Sequence, residues 1–195
     1  MLKVMVDKVA AGLYNLAVRK GDRVAIMVPN YPQYIVAFFA VQKAGGVVVQ
    51  VNPMHVERKL EHILHDSGAE VIVAFDQFYP RIKNVRHLTP LKHVILFSLG
   101  QPVVGQEEGV LTAEEILATT DANPPQLSFD VVNDLAVLQY TGGTTGVSKG
   151  AMLTHRNIVA NALQMTEWFQ GCRYGEETVL SVLPFFPFLR HDRLC

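Results

Sequence analysis

The sequence has little cysteine and almost no net charge. Only Cys172 and Cys195 are present, without Cys-x-x-Cys spacing, which excludes a secreted disulfide framework and is typical of proteins from a reducing compartment. Seventeen Lys and Arg residues against eighteen Asp and Glu residues give a formal net charge of -1. Because nucleic acids attract proteins through positive charge, this balance argues against a nucleic-acid-binding module.

A long uninterrupted apolar segment is also missing. The most apolar stretch, residues 35–51, contains Gln42, Lys43 and two glycines, whereas a helix that crosses a bilayer needs about 20 apolar residues. Charged residues within the first eight positions exclude the apolar core of a secretory signal. We therefore expect a cytoplasmic protein that makes at most peripheral contact with the inner face of a membrane.

The sequence does contain enough apolar residues for a core, since 49% of the 195 residues are hydrophobic and 18% are charged. Short β-branched runs alternate with segments of helical periodicity. Strands are predicted at residues 23–28, 47–51, 70–75 and 93–98, and helices at residues 31–44, 55–66 and 79–88. This alternation with short connections predicts an α/β fold, a mainly parallel sheet flanked by helices on both faces.

A connector is predicted between two blocks of the chain. Residues 121–133 contain an Asn-Pro-Pro run and show no periodicity, which is typical of a linking segment. We therefore divide the chain into a first α/β block at residues 1–120 and a second block at residues 134–195.

Further elements are predicted on either side of this connector. Thr112 lies three residues before Glu115, which is the spacing of a capping box at the start of a short helix. The remaining predictions are a loop over residues 98–109, helices over 112–120 and 154–169, and strands over 134–141 and 178–183.

The most informative segment runs from Tyr140 to Gly150. It contains four glycines, three threonines, a serine and a lysine in eleven residues. Glycines let consecutive backbone N–H groups face one anion, hydroxyl groups add adjustable donors, and Lys149 adds a charge suited to phosphate. The alternative is a flexible hairpin loop in which the glycines and threonines only allow the chain to turn. The density of hydroxyl groups and the lysine favour a polyphosphate site instead.

The spacing within this segment excludes two common phosphate loops. A Walker loop needs a glycine, four residues and then Gly-Lys-Ser/Thr, but Val147 or Ser148 stands where the second glycine belongs. The GxGxxG spacing of dinucleotide-binding enzymes is absent as well. A P-loop NTPase and a Rossmann dehydrogenase are therefore excluded.

The glycine-rich segment belongs to a longer motif that resembles a known family. Residues 140–157, YTGGTTGVSKGAMLTHRN, resemble the ATP-phosphate loop of the adenylate-forming (AMP-binding) superfamily, which includes acyl-CoA synthetases, luciferases and peptide-synthetase adenylation domains. Residues 21–53 resemble the N-terminal subdomain of these enzymes and are most similar to bacterial long-chain fatty-acid–CoA ligases. The resemblance extends from about residue 6 to residue 186 and implies an incomplete N-terminal large domain of that fold.

The resemblance also implies a reaction in two halves. A carboxylate attacks the α-phosphate of ATP to give an acyl-adenylate and pyrophosphate, and coenzyme A then displaces AMP. ATP, Mg²⁺, a fatty acid and coenzyme A are the small molecules implied. Lys149 is the implied catalytic residue, and the hydroxyl of Thr141 or Thr144 is the implied contact with Mg²⁺. The implied ATP-binding residues are Tyr140, Thr141, Gly142, Gly143, Thr144, Thr145, Gly146, Val147, Ser148, Lys149 and Gly150.

The tail of the chain, residues 187–195, departs from the family pattern. The family usually places a His, any residue, then Tyr-Gly after a segment like residues 183–186, whereas this tail reads PFLRHDRLC. Reading one nucleotide later, with permitted codons, restores the motif, so we interpret the tail as a frameshift and the chain as truncated. Because the segments that bind adenine and ribose are then absent, we expect no ligase activity from this chain alone.

Alternative functions remain open beside the ligase fragment. They are a non-catalytic nucleotide- or acyl-binding module, another acid–thiol ligase of the same superfamily, and a nonfunctional gene product. His155 recurs in the family motif, where we expect it to cap or orient the next helix rather than act as a base.

Three histidines and two aromatic residues are weaker signals. His55, His62 and His65 lie on one predicted helix, but the charged residues around them favour a solvated polar face over a metal site. Trp168 and Phe169 follow an apolar helical pattern, which favours core packing over the lining of a ligand pocket.

Overall fold

A computed structural model of the chain describes residues 2–100, 107–141, 148–169, 171, 173 and 176–178. The helices are α1 (Leu2–Asn15), α2 (Pro32–Lys43), α3 (Glu57–Ser67), α4 (Tyr79–Arg86), α5 (Ala113–Thr119) and α6 (His155–Trp168), and one 3₁₀ turn covers Asp76–Phe78. The strands are β1 (Arg23–Met27), β2 (Val47–Gln50), β3 (Val71–Phe75), β4 (His93–Phe97), β5 (Val110–Thr112), β6 (Leu135–Thr141) and β7 (Lys149–Thr154). None of the helices within the described ranges is long and apolar enough to cross a membrane.

The strands form a single sheet in the order β5-β4-β3-β1-β2-β6-β7. Neighbouring strands from β5 to β6 run parallel, and β7 pairs antiparallel with β6. The prediction of an α/β fold with a mainly parallel sheet is therefore confirmed. Because β6 pairs with β2, strands from both predicted blocks share this one sheet.

Helices cover both faces of the parallel strands. Alternate residues of β1 face opposite sides: Val24 and Ile26 pack into one core cluster, and Ala25 and Met27 into the other. Helices α1, α2 and α5 cover the first face, and α3 and α4 cover the second. Burial on both faces explains why the strand segments read as continuous apolar runs.

Helix α1 was not among the predicted elements. Its buried residues include Val9 and Leu13, which are both fully buried. Asp7 of the same helix is also buried and accepts hydrogen bonds from Lys3 and Lys43. Lys3, Asp7 and Lys8 interrupt the apolar stripe of α1 in sequence, although in the fold Lys3 pairs with Asp7 and Lys8 donates to the Leu117 carbonyl. Hydrophobic periodicity therefore does not reveal this helix.

Two strands were also missing from the sequence prediction. β5 has three residues and lies at the edge of the sheet, between the predicted loop and the predicted helix. β7 begins at Lys149, so Lys149 and Gly150 belong to a strand rather than to the loop alone. The predicted strand over residues 178–183 lies outside the described residues, apart from position 178.

Helix α3 begins two residues later than predicted, at Glu57. The segment before it forms a turn in which the Asn52 side chain accepts from the Met54 N–H at 2.8 Å and the Asn52 carbonyl accepts from the His55 N–H at 2.9 Å. An Asx turn of this kind competes with the first helical turn and delays the helix.

The predicted capping box of α5 is confirmed. The Thr112 hydroxyl accepts from the Glu115 N–H at 3.1 Å, and the Glu115 carboxylate accepts from the Thr112 N–H at 2.8 Å. Because these bonds favour the ionised carboxylate, they lower the pKa of Glu115.

Candidate functional site

The predicted phosphate segment lies at the carboxyl edge of the parallel sheet. Strand β6 runs parallel to β2 and ends at Thr141, and β7 starts at Lys149 and runs back. Ligands of open α/β sheets bind outside the carboxyl ends of the strands. The structure describes Tyr140, Thr141, Ser148, Lys149 and Gly150 of the predicted site. Gly142, Gly143, Thr144, Thr145, Gly146 and Val147 lie outside the described residues.

The two ends of this segment, which we call the loop base, meet as neighbours in the β6–β7 hairpin. Thr141 pairs with Lys149, and Tyr140 pairs with Gly150. The Ser148 hydroxyl donates to the Thr141 carbonyl at 2.7 Å and closes the base from inside. Thr141 and Lys149 are both exposed, whereas Ser148 is buried. A hydroxyl and an ammonium group therefore lie side by side on the exposed end of the hairpin.

Lys149 brings a positive charge to this end. Among the described residues it has no carboxylate partner within ion-pair distance. It is the only charged residue between positions 140 and 150. An ammonium group beside a hydroxyl suits an anionic ligand such as a phosphate group.

Helix α3 contacts Tyr140 and holds it in place. Its hydroxyl donates to Asp66 Oδ2 at 2.5 Å, and the side chain is almost fully buried. Burial raises the pKa of Tyr140, and the nearby Asp66 carboxylate raises it further. The ring also fills the space beside Gly150, where an added Cβ would lie 3.1 Å from two ring carbons. Tyr140 therefore fixes the loop base through its ring and its hydroxyl.

A second residue of α3, His62, contacts the other end of the loop base. Its Nε2 lies 2.9 Å from the Ser148 carbonyl oxygen, and its ring meets the Tyr140 ring edge to face at 6.5 Å between centroids. Because a carbonyl oxygen only accepts, Nε2 is the protonated nitrogen in this contact. His62 and Asp66 were missed as site residues by sequence analysis. Their four-residue spacing places them on one helix face, but nothing in the sequence connects that face to the loop base.

The prediction of a solvated face for the three histidines holds for His65 but is wrong for His62 and His55, which are partly buried. Burial, and secondarily the charge of Lys59, lowers the pKa of His55 to about 4. Among the described residues, no group of three or more His, Cys, Asp or Glu side chains is placed to hold a metal ion.

Helix α6 follows β7 and differs from the prediction in its burial. Thr154 caps it, with the Asn157 N–H donating to the Thr154 hydroxyl at 3.3 Å, and the His155 ring packs against Phe129 at 4.9 Å between centroids. The expectation of core packing for Trp168 and Phe169 is wrong in the described residues, since these side chains are 85% and 58% exposed.

Comparisons with known proteins agree with this fold. A family model described as AMP-binding enzyme matches residues 2–191. A long-chain-fatty-acid–CoA ligase of Bacillus subtilis (strain 168) is 37% identical, with the match covering 92% of this chain and 36% of the relative.

Two solved structures have the same architecture. A long-chain-fatty-acid–CoA ligase of Archaeoglobus fulgidus superposes with a TM-score of 0.72 at 34% identity, covering 83% of this chain and 31% of that one. The anthranilate CoA ligase AuaEII, solved in complex with anthranoyl-AMP, gives a TM-score of 0.74 at 26% identity, covering 83% and 30%. The chain therefore spans about a third of the length of the proteins that it matches.

Proposed function

Because the chain belongs to the AMP-binding enzyme family, we propose that it supplies the ATP-phosphate side of a site that activates a carboxylate as its adenylate. The observation that carries this proposal is the pairing of Thr141 with Lys149 at the carboxyl edge of the sheet. The pairing places a hydroxyl donor and an ammonium group at the ends of one glycine-rich segment, and that ammonium has no carboxylate partner in the described part of the chain. Backbone N–H groups between Gly142 and Val147 would complete the phosphate contacts.

Lys149 is the residue to which we assign charge neutralisation. In adenylation, a carboxylate oxygen bonds to the α-phosphorus of ATP, and the bond from that phosphorus to the bridging oxygen of the β-phosphate breaks. The electron pair of that bond leaves with pyrophosphate. A positioned ammonium lowers the barrier because it stabilises charge that grows on the leaving group.

Mg²⁺ would enter this site together with the nucleotide. It prefers oxygen ligands, retains several waters, and is commonly held through phosphates and few protein groups. Thr141 fits this requirement, because its hydroxyl belongs to an exposed residue at the sheet edge. Thr141 or Thr144 is the proposed protein contact. When bound, the ion would neutralise part of the charge on the β- and γ-phosphates.

We propose a long-chain fatty acid as the carboxylate and coenzyme A as the acceptor. Support comes from the names of the relatives in Bacillus subtilis and Archaeoglobus fulgidus, both of which are long-chain-fatty-acid–CoA ligases. The acyl-adenylate bound to the anthranilate CoA ligase supports adenylation as the first half of the reaction. In the second half, the coenzyme A sulfur bonds to the acyl carbon and AMP leaves.

The 195-residue chain alone is proposed to bind nucleotide weakly and to form no acyl-CoA. Adenylation needs the carboxylate and the α-phosphate held about 3–3.5 Å apart in line, with groups on both sides of the nucleotide. The chain supplies the phosphate side and matches only 36% of the Bacillus subtilis relative. Incubation with ATP, Mg²⁺, coenzyme A and palmitate should therefore release no AMP. Turnover at the rate of a complete ligase would refute this part of the proposal.

The nucleotide site is tested by titrating the chain with Mg-ATP and following backbone amide shifts by NMR. We expect the largest shifts at Thr141, Ser148, Lys149 and Gly150. Lys149→Ala should weaken binding at least about tenfold, because charge-assisted hydrogen bonds contribute about 1.5–3 kcal/mol. Lys92→Ala is the matched control. Lys92 is also an exposed lysine, but it lies just before β4, at the amino edge of the sheet and away from the loop base. Equal affinity of the Lys149 and Lys92 variants would contradict the proposed role.

A further inference from the structure

Helix α3 holds both ends of the loop base. We infer that His62 and Asp66 are positioning residues for the phosphate loop: they fix the spacing between its two ends, and through that spacing the relative placement of Thr141 and Lys149. This inference rests on the proposed function, since it concerns the geometry that the nucleotide would meet. Neither side chain is assigned a contact with substrate.

The two contacts fall on different strands of the hairpin. Asp66 accepts from the hydroxyl of Tyr140, which lies one residue before the end of β6. His62 donates to the carbonyl of Ser148, which lies one residue before the start of β7. Each end of the loop is therefore tied to the same helix, independently of the ladder that joins β6 to β7.

The spacing of the two anchors is set by helix geometry. His62 and Asp66 are four residues apart, so they lie on one face of α3 with about 5–6 Å between their Cβ atoms. A helix is stiffer than a loop, because each of its backbone groups is bonded within the element. The distance between the two anchors therefore cannot change without distorting a turn of the helix.

Helix α3 is itself fixed in the core. Leu60, Ile63 and Leu64 are fully buried against β1, β2 and β3, and Gly68 ends the helix at φ +64°. This packing fixes the backbone of α3 when the protein folds, so the positions from which His62 and Asp66 extend are set before any ligand arrives. The loop base thus takes its rigidity from the hydrophobic core.

Contacts inside the loop base leave little room for an alternative arrangement. The Tyr140 ring is packed between His62 and Gly150, and the Ser148 hydroxyl is already bonded to the Thr141 carbonyl. Loss of the His62 donor would leave the carbonyl of Ser148, a buried residue, without this partner. A buried carbonyl without a donor costs free energy, which destabilises the closed loop base relative to states in which water reaches that oxygen.

The experiment compares His62→Leu, which removes the donor, with His62→Gln, which keeps an N–H donor. His65→Leu is the matched control, because His65 is an exposed histidine on the same helix. Amide hydrogen exchange at Ser148, Lys149 and Gly150 is measured first, without nucleotide, and thermal unfolding is followed by circular dichroism. Mg-ATP affinity is then measured by NMR titration.

We expect His62→Leu to accelerate exchange at these amides by about 3–10-fold and to weaken Mg-ATP binding by a similar factor, as expected for one lost hydrogen bond. His62→Gln should recover most of both losses, and His65→Leu should change neither. Exchange of the β1 and β3 amides should stay unchanged in all three variants. A purely structural role would instead accelerate exchange throughout the sheet, with no recovery in His62→Gln.

The Asp66 contact is tested by a double-mutant cycle with Tyr140. Asp66→Ala and Tyr140→Phe should each accelerate exchange at the loop base, and the double variant should show no more than the larger single effect, because both changes remove one bond. Additive effects would overturn the assignment for Asp66.

Failure of this inference is distinguishable from failure of the proposed function. Unchanged amide exchange in His62→Leu overturns the inference whether or not the wild-type chain binds Mg-ATP. Accelerated exchange together with no wild-type binding overturns the proposed function and supports the structural part of the inference. Accelerated exchange with unchanged affinity overturns the link between the α3 anchors and the nucleotide.

Discussion

Strands β1 to β4 are buried at nearly every position, whereas β7 is exposed or half-buried along its whole length. The helices repeat this difference: α3 buries one side of its surface, and α6 has no buried residue within the described range. Both helices carry apolar residues at helical spacing. The difference shows that an apolar pattern predicts a helix, but burial also requires a surface on which that helix can pack.

The attachment of α6 follows from this difference. Its first turn is fixed by backbone bonds, with the His155 N–H donating to the Asp134 carbonyl at 3.2 Å and the Arg156 N–H to the Val131 carbonyl at 2.8 Å. Beyond that turn, Ile158 packs at the edge of the core cluster, but Leu163 is 61% exposed. We therefore expect the parallel part of the sheet to dominate the free energy of unfolding.

A matched pair of leucines gives the largest predicted contrast. Leu64→Ala removes a fully buried side chain from α3 and should lower the free energy of unfolding by about 2–5 kcal/mol, because it leaves a cavity. Leu163→Ala, on α6, should change it by no more than about 0.5 kcal/mol. Both are measured by urea unfolding. Similar losses would show that the burial contrast between the two helices does not govern stability.

Two histidines, His55 in the region of the parallel strands and His155 in α6, allow the two regions to be compared through the pH dependence of stability. The pKa of His55, in the parallel part, is lowered to about 4 by burial, so the unfolded chain takes up a proton between about pH 6.5 and 4 while the folded protein does not. Stability should fall over this interval as the pH is lowered. Burial lowers the pKa of His155 as well, but Asp134 opposes that effect.

The free energy of unfolding should therefore decrease by about 1 kcal/mol less in His55→Gln than in the wild type between pH 7 and pH 4.5. The difference is no larger because the ring of His55 is partly exposed, which weakens the influence of burial on its pKa. His155→Gln should show a smaller difference from the wild type. Urea midpoints of the two variants and the wild type at both pH values measure the difference. If the stability of His55→Gln changed with pH as much as that of the wild type, His55 would not be the cause of the pH dependence.

The smallest effect is expected where the two regions are linked by charge. Lys20 Nζ lies 2.7 Å from Asp134 and 3.1 Å from the Ser128 carbonyl, so it joins the start of β1 to the segment before β6. Lys20→Met should cost at most about 1 kcal/mol, because partly exposed ion pairs are screened by solvent. The control is Lys92→Met, which removes a more exposed ion pair within the parallel part. A larger loss, measured by urea unfolding, would indicate that the two regions unfold as one strongly coupled unit.

Periodicity predicted β1 to β4 and α2 to α4 because their neighbours cover them on defined faces. It failed for α1, where Lys3 and Asp7 interrupt the apolar stripe in sequence but pair with each other in the fold, and where Asp7 also accepts a hydrogen bond from the distant Lys43 of α2. It also failed for β7, whose exposed edge position imposes no regular pattern. Hydrophobic periodicity therefore predicts elements with a regular pattern of burial, but it does not predict ion pairs between residues that are distant in sequence.

The candidate site shows the same division. Thr141 and Lys149 were predicted from composition, because a phosphate site needs donors and charge close together in the chain. His62 was missed because its bond to Ser148 spans 86 residues, and no spacing rule connects them. The residues proposed to carry the chemistry are therefore close together in sequence, whereas the residues that hold them in place are not.

The antiparallel pairing of β6 and β7 has a consequence for the proposed anion site. In a Walker loop the next helix starts at the bound phosphate and adds the positive end of its dipole. Here β7 intervenes and carries the chain back, so α6 begins six residues later, beside Asp134 at the opposite edge of the sheet. The positive end of the α6 dipole therefore lies at the edge of the sheet opposite the loop base. For the phosphate binding proposed above, the affinity should depend on the ammonium of Lys149 and on exposed donors, and should fall as ionic strength rises.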